Sequence, residues 1–287
     1  MNRRALIALT AAGLLWGLTI PLSKVALASL DPAWLTVVRF GAAAPLLAWC
    51  ARRHLRAACT PAVAAWGAMG FGMVIVLQNL GIERTSVSHA ALVCGAIPAL
   101  VAIVALAAGR SASGPLAWLG YAAAIGGVAI VAGPGSGASL SGDLLVLASA
   151  ALSALFIVAQ TRNLEGRDAM AVTAVQMAAA SLTALPLALT AGHARMPDLD
   201  ALLAIVALCT AGALPYALYA YGQARVKAET AGAFINLEPL VGALAGALVF
   251  GDPFGGAQLL GGLAILGGLA LSVLPAPAPR RLRLSAS

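Results

Sequence analysis

Ten stretches of about 20 residues, almost free of charge, follow one another along the sequence and are joined by short connections. A helix needs about 20 mostly apolar residues to cross a hydrocarbon layer of about 30 Å. A membrane β-barrel would instead show alternating segments of about ten residues, and the sequence has none. The pattern therefore predicts an all-α integral membrane protein with ten transmembrane helices. The predicted spans are 6–25, 33–50, 62–81, 87–108, 114–131, 142–161, 169–191, 202–222, 230–250 and 255–273.

The composition supports the same class and argues against a soluble domain. Only 9% of the 287 residues are charged and 61% are hydrophobic. Soluble domains carry roughly 25% charged residues, because their surface must be solvated. So few charges cannot cover a globule of this size.

Basic residues concentrate in alternate connections, and this bias predicts the orientation of the chain. Cytoplasmic connections retain Lys and Arg, and only Arg84 and Arg195 lie in connections on the side opposite the N-terminus. We therefore expect cytoplasmic N- and C-termini. The net charge of +7 is then explained by insertion and by contact with anionic membrane lipid. It does not indicate a nucleic-acid partner, and the pattern is silent on oligomeric state.

The sequence also contains an internal repeat. At a shift of 141 positions, "LQNLGIERTSVSHAALVCGAIPALVA" aligns with "LYAYGQARVKAETAGAFINLEPLVGA", and the match continues without a gap for more than fifty residues. The first two spans of each half match more faintly at a shift of 137, which places Asp31 on Asp168 and Arg39 on Gln176. The pairs at 141 include Gly81 with Gly222, Arg84 with Arg225, Ala90 with Ala231, and Pro98 with Pro239.

The repeat predicts two halves, residues 1–137 and 138–287, the second ending in a short basic tail. Each half holds five spans, so the second half enters the membrane upside down relative to the first. Inverted repeats of this kind place a binding site near the midplane and expose it alternately to the two sides. The repeat therefore predicts a transporter that takes a small-molecule substrate.

Several motifs resemble the EamA repeats of the drug/metabolite transporter superfamily. They are "LLWGLTIPLSK" in the first span, "DPAWLTVVRF" at the second, N-L-x-P in the ninth, and "FGDPFGGAQLLGGLAILGGLAL" leading into the tenth. Within that superfamily the chain is most similar to the YddG-type bacterial amino-acid and metabolite exporters. The resemblance implies a secondary transporter in a bacterial cytoplasmic (inner) membrane that exports small metabolites, with amino acids as the expected class. Sugar-phosphate or nucleotide-sugar carriers of the same fold and exporters of lipophilic cations remain alternatives.

Other classes of function have little support in the sequence. It lacks a Walker A motif, so ATP hydrolysis is not the predicted energy source. It also lacks G-x-S-x-G, H-E-x-x-H and any Cys/His cluster, so we expect no enzyme activity, no cofactor and no metal site. A channel or lipid scramblase would need a continuous polar path, and the few charges inside the spans offer a thin one.

Ionisable side chains within the spans are the first candidates for substrate contact, because charge in hydrocarbon is costly and normally faces the bundle interior. At 1.5 Å per residue, Arg39 lies about 9 Å into the second span and Glu238 about 12 Å into the ninth. These depths predict no direct backbone-adjacent pair, although long side chains or a bound zwitterion could bridge the gap. Glu238 is expected either to bind an amino group or proton or to cap a neighbouring helix. Lys24, near the end of its span, can reach water.

Polar and aromatic side chains complete the predicted site. Gln78 and Asn79 lie towards the outer end of the third span, and Tyr216 and Tyr219 share one face of the eighth. Aromatic residues near span ends also form the interfacial belt, so the tyrosines have this second interpretation. The predicted substrate-binding and translocation residues are Trp16, Arg39, Gln78, Asn79, Tyr216, Tyr219, Asn236 and Glu238.

Two aligned prolines, Pro98 and Pro239, lie near the middle of the fourth and ninth spans. Each removes a backbone donor and is predicted to break its helix, which membranes tolerate beside a cavity or where neighbouring groups compensate. The polar and aromatic residues predict that spans one, three, four, six, eight and nine line a central cavity. The glycine-rich fifth and tenth spans are predicted mainly to pack.

Overall fold

The computed structural model describes residues 3–109, 114–131, 139–191, 196–251 and 255–273. All regular secondary structure in these ranges is helical, including a π-helical segment at Ala68–Met73 and a 3₁₀ turn at Phe234–Asn236. The α-helices are α1 (Arg3–Gly17), α2 (Thr19–Ala26), α3 (Pro32–Cys50), α4 (Leu55–Ala58), α5 (Pro61–Gly67), α6 (Val74–Arg84), α7 (Val87–Cys94), α8 (Ile97–Ala107), α9 (Pro115–Val131), α10 (Leu140–Leu164), α11 (Ala169–Thr190), α12 (Leu199–Gln223), α13 (Ala228–Ala233), α14 (Leu237–Val249) and α15 (Gly256–Val273).

Seven helical segments in the described part of the chain are long and apolar enough to cross a membrane. The predicted all-α, multi-pass class is therefore confirmed, while the fourth, fifth and tenth predicted spans correspond to shorter helices. Arg195, the limit between the predicted halves and the basic C-terminal tail lie outside the described residues. The seven segments are Arg3–Ala26, Pro32–Cys50, Pro61–Arg84, Leu140–Leu164, Ala169–Thr190, Leu199–Gln223 and Ala228–Val249.

The outer surface of the bundle is apolar, as the composition requires. Leu182, Leu189 and Leu248 are 69%, 68% and 78% exposed. Large apolar side chains at such exposure are stable against hydrocarbon but not against water. This surface faces lipid.

Equivalent aspartates begin equivalent helices in the two repeats. The Asp31 carboxylate accepts a hydrogen bond from the backbone N–H of Ala33 at 2.8 Å, at the start of α3. The Asp168 carboxylate accepts one from Ala171 at 2.9 Å, at the start of α11. Aspartate is a preferred N-cap because its oxygen satisfies a free backbone donor. The fainter part of the repeat thus has a local structural basis.

The fourth and ninth predicted spans are each interrupted near the middle, at equivalent positions. α7 ends at Cys94, and α8 begins at Ile97 with Pro98 in its first turn. In the second repeat, the 3₁₀ turn separates α13 from α14, and Pro239 lies in the first turn of α14. Proline is tolerated in a first turn, where its missing donor would have no intrahelical partner. Pro98 therefore begins a new helix, whereas Pro239 follows a local change of helix type within one continuous helical segment.

Equivalent residues of the two repeats lie at opposite ends of the bundle. Thr85 donates a hydrogen bond to Asp143 at 2.7 Å, near the start of α10. The repeat equivalent of Thr85 is Val226, which shares a cavity with Thr161 near the end of α10. Asp143 and Thr161 are separated by about 27 Å at 1.5 Å per residue. We call these two ends of the bundle the Lys24 end and the Thr161 end.

Glycines allow α9 and α15 to pack backbone against backbone. A Cβ added at Gly120 would lie 2.6 Å from the carbonyl oxygen of Gly268, and one at Gly127 would lie 2.6 Å from that of Gly261. Only glycine permits this approach, which is a common way for helices to associate in lipid. The predicted packing role of the fifth and tenth spans agrees with this arrangement.

Candidate functional site

A central cavity of about 80 Å³ lies between the two repeats. It is lined by the six predicted spans one, three, four, six, eight and nine, and no described residue of α9 or α15 contributes to its wall. Five of the predicted site residues lie on this wall: Trp16, Gln78, Tyr216, Tyr219 and Glu238.

Aromatic rings form much of the cavity wall. The Trp16 ring lies 4.8 Å from that of Tyr219 and 5.1 Å from that of Tyr216, measured between centroids. Phe71 contacts Tyr216 at 4.6 Å and Phe156 at 5.0 Å. Such offset and edge-on pairs are the favourable arrangements for aromatic rings. Tyr216 and Tyr219 therefore belong to the interior and not to an interfacial belt.

Arg39 lies behind this wall, on α3. It is 3% exposed, and its guanidinium carbon is 5.6 Å from the Tyr216 ring and 5.5 Å from the Phe40 ring. Cation–π attraction over both rings partly replaces the lost hydration. Its Nε and Nη2 atoms have no hydrogen-bond partner among the described residues. A buried guanidinium whose donors lack partners is unusual among buried polar groups.

Glu238 brings the opposite charge to the cavity. It lies in the first turn of α14, lines the cavity and is 7% exposed. A carboxylate is stabilised at this position by the partial positive charge of a helix N-terminus. Arg39 and Glu238 form no ion pair within 4 Å in the described structure, but they attract each other electrostatically.

Further buried polar atoms near the cavity also lack partners in the described ranges. The Tyr219 hydroxyl lies on the wall of the cavity, and the Tyr219 side chain is 5% exposed. Asn236 is 1% exposed in the 3₁₀ turn, and its Oδ1 also accepts no hydrogen bond. Ile235, its neighbour, lines the cavity, whereas Asn236 lies just behind the wall. An unpaired buried polar atom costs about 1–3 kcal/mol, so water or a solute is needed to satisfy these groups.

Neutral amides form one part of the cavity wall and the layer behind it. Gln160 lines the cavity and exchanges two hydrogen bonds with Gln176, at 2.8 and 2.7 Å. Asn163 donates a further bond to Gln160 at 3.2 Å. Gln176 is the repeat counterpart of Arg39, so the same place holds a charge in one repeat and a satisfied amide in the other. The cavity is therefore chemically asymmetric although two repeats build the fold.

The adjacent residues Gln78 and Asn79 have different environments. Gln78 lines the cavity and donates to the Cys94 sulfur at 3.3 Å. Asn79 is 1% exposed and donates to the Pro32 carbonyl at 3.4 Å and to the Thr36 hydroxyl at 3.2 Å. Asn79 thus joins α6 to α3 and does not lie on the cavity wall. Pro98 and Pro239 lie next to lining residues without lining the cavity themselves.

Sequence reasoning missed one complete face of α10. Ser153, Phe156, Ile157 and Gln160 all line the cavity. Their spacing of i, i+3, i+4 and i+7 places them on one side of a helix. Ser153 and Gln160, two polar residues on one side of an apolar span, were the signal in the sequence for this cavity-lining face.

Polar contacts join several helices at the Lys24 end. His89 Nδ1 lies 3.4 Å from the Asp143 carboxylate, linking α7 to α10. Lys24 donates to backbone carbonyls at the end of α6, the closest being that of Ile82 at 2.7 Å. The Lys24 ammonium therefore contacts protein carbonyls, and the side chain does not simply extend to water.

The family follows from comparison with known proteins. A family model for EamA-like transporters matches residues 3–133 and again residues 140–274. The chain belongs to the EamA-like transporter family. The two successive matches agree with two repeats, and they confirm the resemblance at the level of the superfamily.

This EamA-like transporter has relatives that share most of its length. It is 25% identical over 261 residues to an uncharacterized transporter of Archaeoglobus fulgidus. The aligned region covers 85% of this chain and 88% of that protein. It also aligns with a solved crystal structure at a TM-score of 0.78 and 21% identity, over 95% of this chain and 97% of the other. The structural match shows a shared fold.

Proposed function

We propose that this chain is a secondary transporter that exports small metabolites, with amino acids as the substrate class, by alternating access to the central cavity. The observation that carries the proposal is the pairing of opposite buried charges around one small cavity. Arg39 provides a cation behind the Tyr216 side of the wall, and Glu238 provides a carboxylate on it. A zwitterion bound between them would compensate both charges. It would also offer partners to polar groups such as the Tyr219 hydroxyl.

The size of the cavity supports a small solute. A buried water needs roughly 10–15 Å³ of such volume, so a cavity of about 80 Å³ has room for about five to eight water-sized groups. Sites for drug-sized ligands usually have about 300 Å³ or more. The volume therefore favours a metabolite over a bulky lipophilic drug.

A small organic cation is the second candidate, because aromatic rings and one carboxylate surround the cavity. Trp16, Tyr216 and Tyr219 present ring faces and edges, and Glu238 supplies the negative charge. Cations bind well to such aromatic cages. Arg39 distinguishes the candidates, since its charge repels a cation and attracts a carboxylate.

We also propose ten spans with both termini cytoplasmic, in a bacterial inner membrane. The bias of Lys and Arg towards alternate connections supports the orientation. The interrupted segment formed by α7 and α8, together with α9 and α15, supplies the three spans beyond the seven long segments. Non-helical backbone within a span is acceptable where protein surrounds it.

Counterflow in proteoliposomes tests the function. Purified protein is reconstituted, and a panel of radiolabelled amino acids, organic cations and sugar phosphates is measured with and without a pH gradient. Saturable counterflow of a zwitterionic amino acid supports the proposal. Ion conductance without saturation would indicate a channel, and counterflow restricted to cations would favour the second candidate.

A single oxygen atom provides a finer test of the cavity. Tyr219→Phe removes a buried hydroxyl without a described partner and leaves the aromatic packing in place. If the hydroxyl binds substrate, KM should rise about tenfold, the equivalent of roughly 1.4 kcal/mol for a typical hydrogen bond. Tyr221→Phe is the matched control, since Tyr221 lies on the same helix but outside the cavity. Equal KM values for the two variants would show that substrate does not contact Tyr219.

A further inference from the structure

Lys24 shows how one end of the bundle binds an ammonium group. Its Nζ donates hydrogen bonds to the carbonyls of Ile82, Glu83 and Thr85, at 2.7, 3.2 and 2.9 Å. These carbonyls lie where α6 ends and the chain bends before α7 begins. An ammonium group has three donors, and this group of carbonyls satisfies them.

The repeat places equivalent residues at the Thr161 end, without the lysine. Thr161 takes the place of Lys24 at the shift of 137. Gln223, Ala224 and Val226 take the places of the three carbonyl residues at the shift of 141. Here, too, a helix ends, the chain bends, and a new helix, α13, begins.

These four residues line one cavity of about 510 Å³. A second cavity of about 300 Å³ adjoins it, and the two share Thr161, Glu165 and Lys227 in their walls. We call the two cavities together the Thr161 vestibule. In the first repeat, the Lys24 ammonium occupies the position beside the carbonyls that end α6. In the second repeat, the equivalent position beside the end of α12 is the open vestibule.

Two buried oxygen atoms in the vestibule accept no hydrogen bond within the described ranges. Glu229 is 7% exposed and lines the smaller cavity, and its Oε1 has no partner. Gln223 is 1% exposed and lines the larger cavity, and its Oε1 also has none. Buried acceptors without a donor are costly. Both oxygens therefore favour a donor that comes from outside the fold.

A buried carboxylate favours a cation at this place, although exposed basic residues outnumber the acids in the walls of the vestibule. Arg225 donates to the Tyr221 carbonyl at 2.7 Å and lies 3.7 Å from the centre of the Tyr221 ring, so its guanidinium is engaged there. Arg162 and Lys227 are exposed, and water and salt screen their charges. Glu229 is the buried charge of the vestibule.

We propose that the Thr161 vestibule is a second binding site, separate from the central cavity, for the primary ammonium group of a solute. The carbonyls at the end of α12 and the Glu229 carboxylate accept its N–H donors. The carboxylate also neutralises its charge. Binding is measured without transport, so this inference stands or fails independently of the proposed transport function.

Thermal unfolding of the purified full chain in detergent tests the site. Methylammonium chloride is compared with sodium chloride and tetramethylammonium chloride at equal ionic strength. At about ten times its Kd, methylammonium should raise Tm by about 3–6 °C over the other two salts. Tetramethylammonium carries the same charge but has no N–H donor. An equal rise in sodium or tetramethylammonium would overturn the assignment to an ammonium group.

A pair of variants tests the correspondence with Lys24. Thr161→Lys supplies the ammonium covalently, and Thr161→Met has a similar length without charge. Thr161→Lys should unfold at least about 3 °C above Thr161→Met and should lose the methylammonium response, as expected for a filled site. Equal Tm values with the response retained in both variants would refute the correspondence.

Further variants identify the acceptor and the source of the ammonium. Glu229→Gln should abolish the response, whereas Glu165→Gln, which changes an exposed acid in the same vestibule, should keep it. Loss of the response in both variants would contradict the role of Glu229. If methylammonium raises the Tm of the Lys227→Met variant but not that of the wild type, Lys227 itself fills the site. This result would overturn the binding of a solute.

Discussion

Replacement of Arg39 by methionine should impair transport strongly while leaving thermal stability nearly unchanged. The reason is that the guanidinium is buried with two unmet nitrogen donors and is compensated mainly by aromatic rings. Such a group contributes little net stability, because its desolvation offsets its attractions. Its charge nevertheless acts on any solute in the adjacent cavity.

The magnitudes follow from the contacts. Removal of two unmet donors recovers about 2–6 kcal/mol at 1–3 kcal/mol each. Loss of attraction to the rings of Phe40 and Tyr216 costs about 1–4 kcal/mol. Loss of attraction to Glu238 costs about 2 kcal/mol if the charges lie roughly 8 Å apart at an effective dielectric constant of about 20. The sum is within a few kcal/mol of zero, so Tm should move by less than about 8 °C.

Transport should respond differently, because under the proposed function the variant removes the cation that compensates the carboxylate of the solute. The same Coulomb estimate of about 2 kcal/mol corresponds to a roughly 30-fold loss in kcat/KM. Counterflow of a radiolabelled amino acid gives the rate, and tryptophan fluorescence during heating gives Tm. Arg39→Lys is the control, since it keeps the charge and should retain part of the activity. Wild-type counterflow in Arg39→Met, or a Tm lowered by more than 10 °C, would refute the reasoning.

Three further predictions concern coupling, packing and topology. Glu238→Gln keeps the shape of the side chain and removes its charge, so transport should lose its dependence on a pH gradient; an unchanged profile would make Glu238 structural. Gly127→Ala should destabilise the protein by about 1–3 kcal/mol, because the new Cβ meets the backbone of α15. Gly126→Ala is the control and should not destabilise it, because a Cβ there meets nothing within 4 Å. Equal Tm values for the two variants in melting experiments would contradict this packing. In a cysteine-free background, cysteines introduced at Arg84 and Arg225 should be labelled by impermeant reagents from opposite sides; labelling from one side would end the inverted-repeat interpretation.

The sequence alone determined the class, the helical segments and the repeat, because these are one-dimensional properties. Hydrocarbon requires about 20 apolar residues per crossing whatever the neighbours are. Asp31 and Asp168 begin their helices through contacts two and three residues away. Aligned prolines mark the paired interruptions because proline acts on its own backbone. The identity of the six cavity-lining spans also followed, since polar and aromatic residues are rare enough in such spans to indicate an interior.

The tertiary structure decided which face of each helix meets the cavity. Gln78 and Asn79 are neighbours in the sequence, but a rotation of about 100° per residue sends one to the cavity and the other to α3. The sequence gives the depth of Arg39 along its helix, but it does not show that the side chain lies behind Tyr216. The acceptors of Lys24 are backbone carbonyls 58–61 residues away, and a carbonyl has no signature in a sequence. Every residue carries the same one, so only the fold determines which carbonyls are brought together.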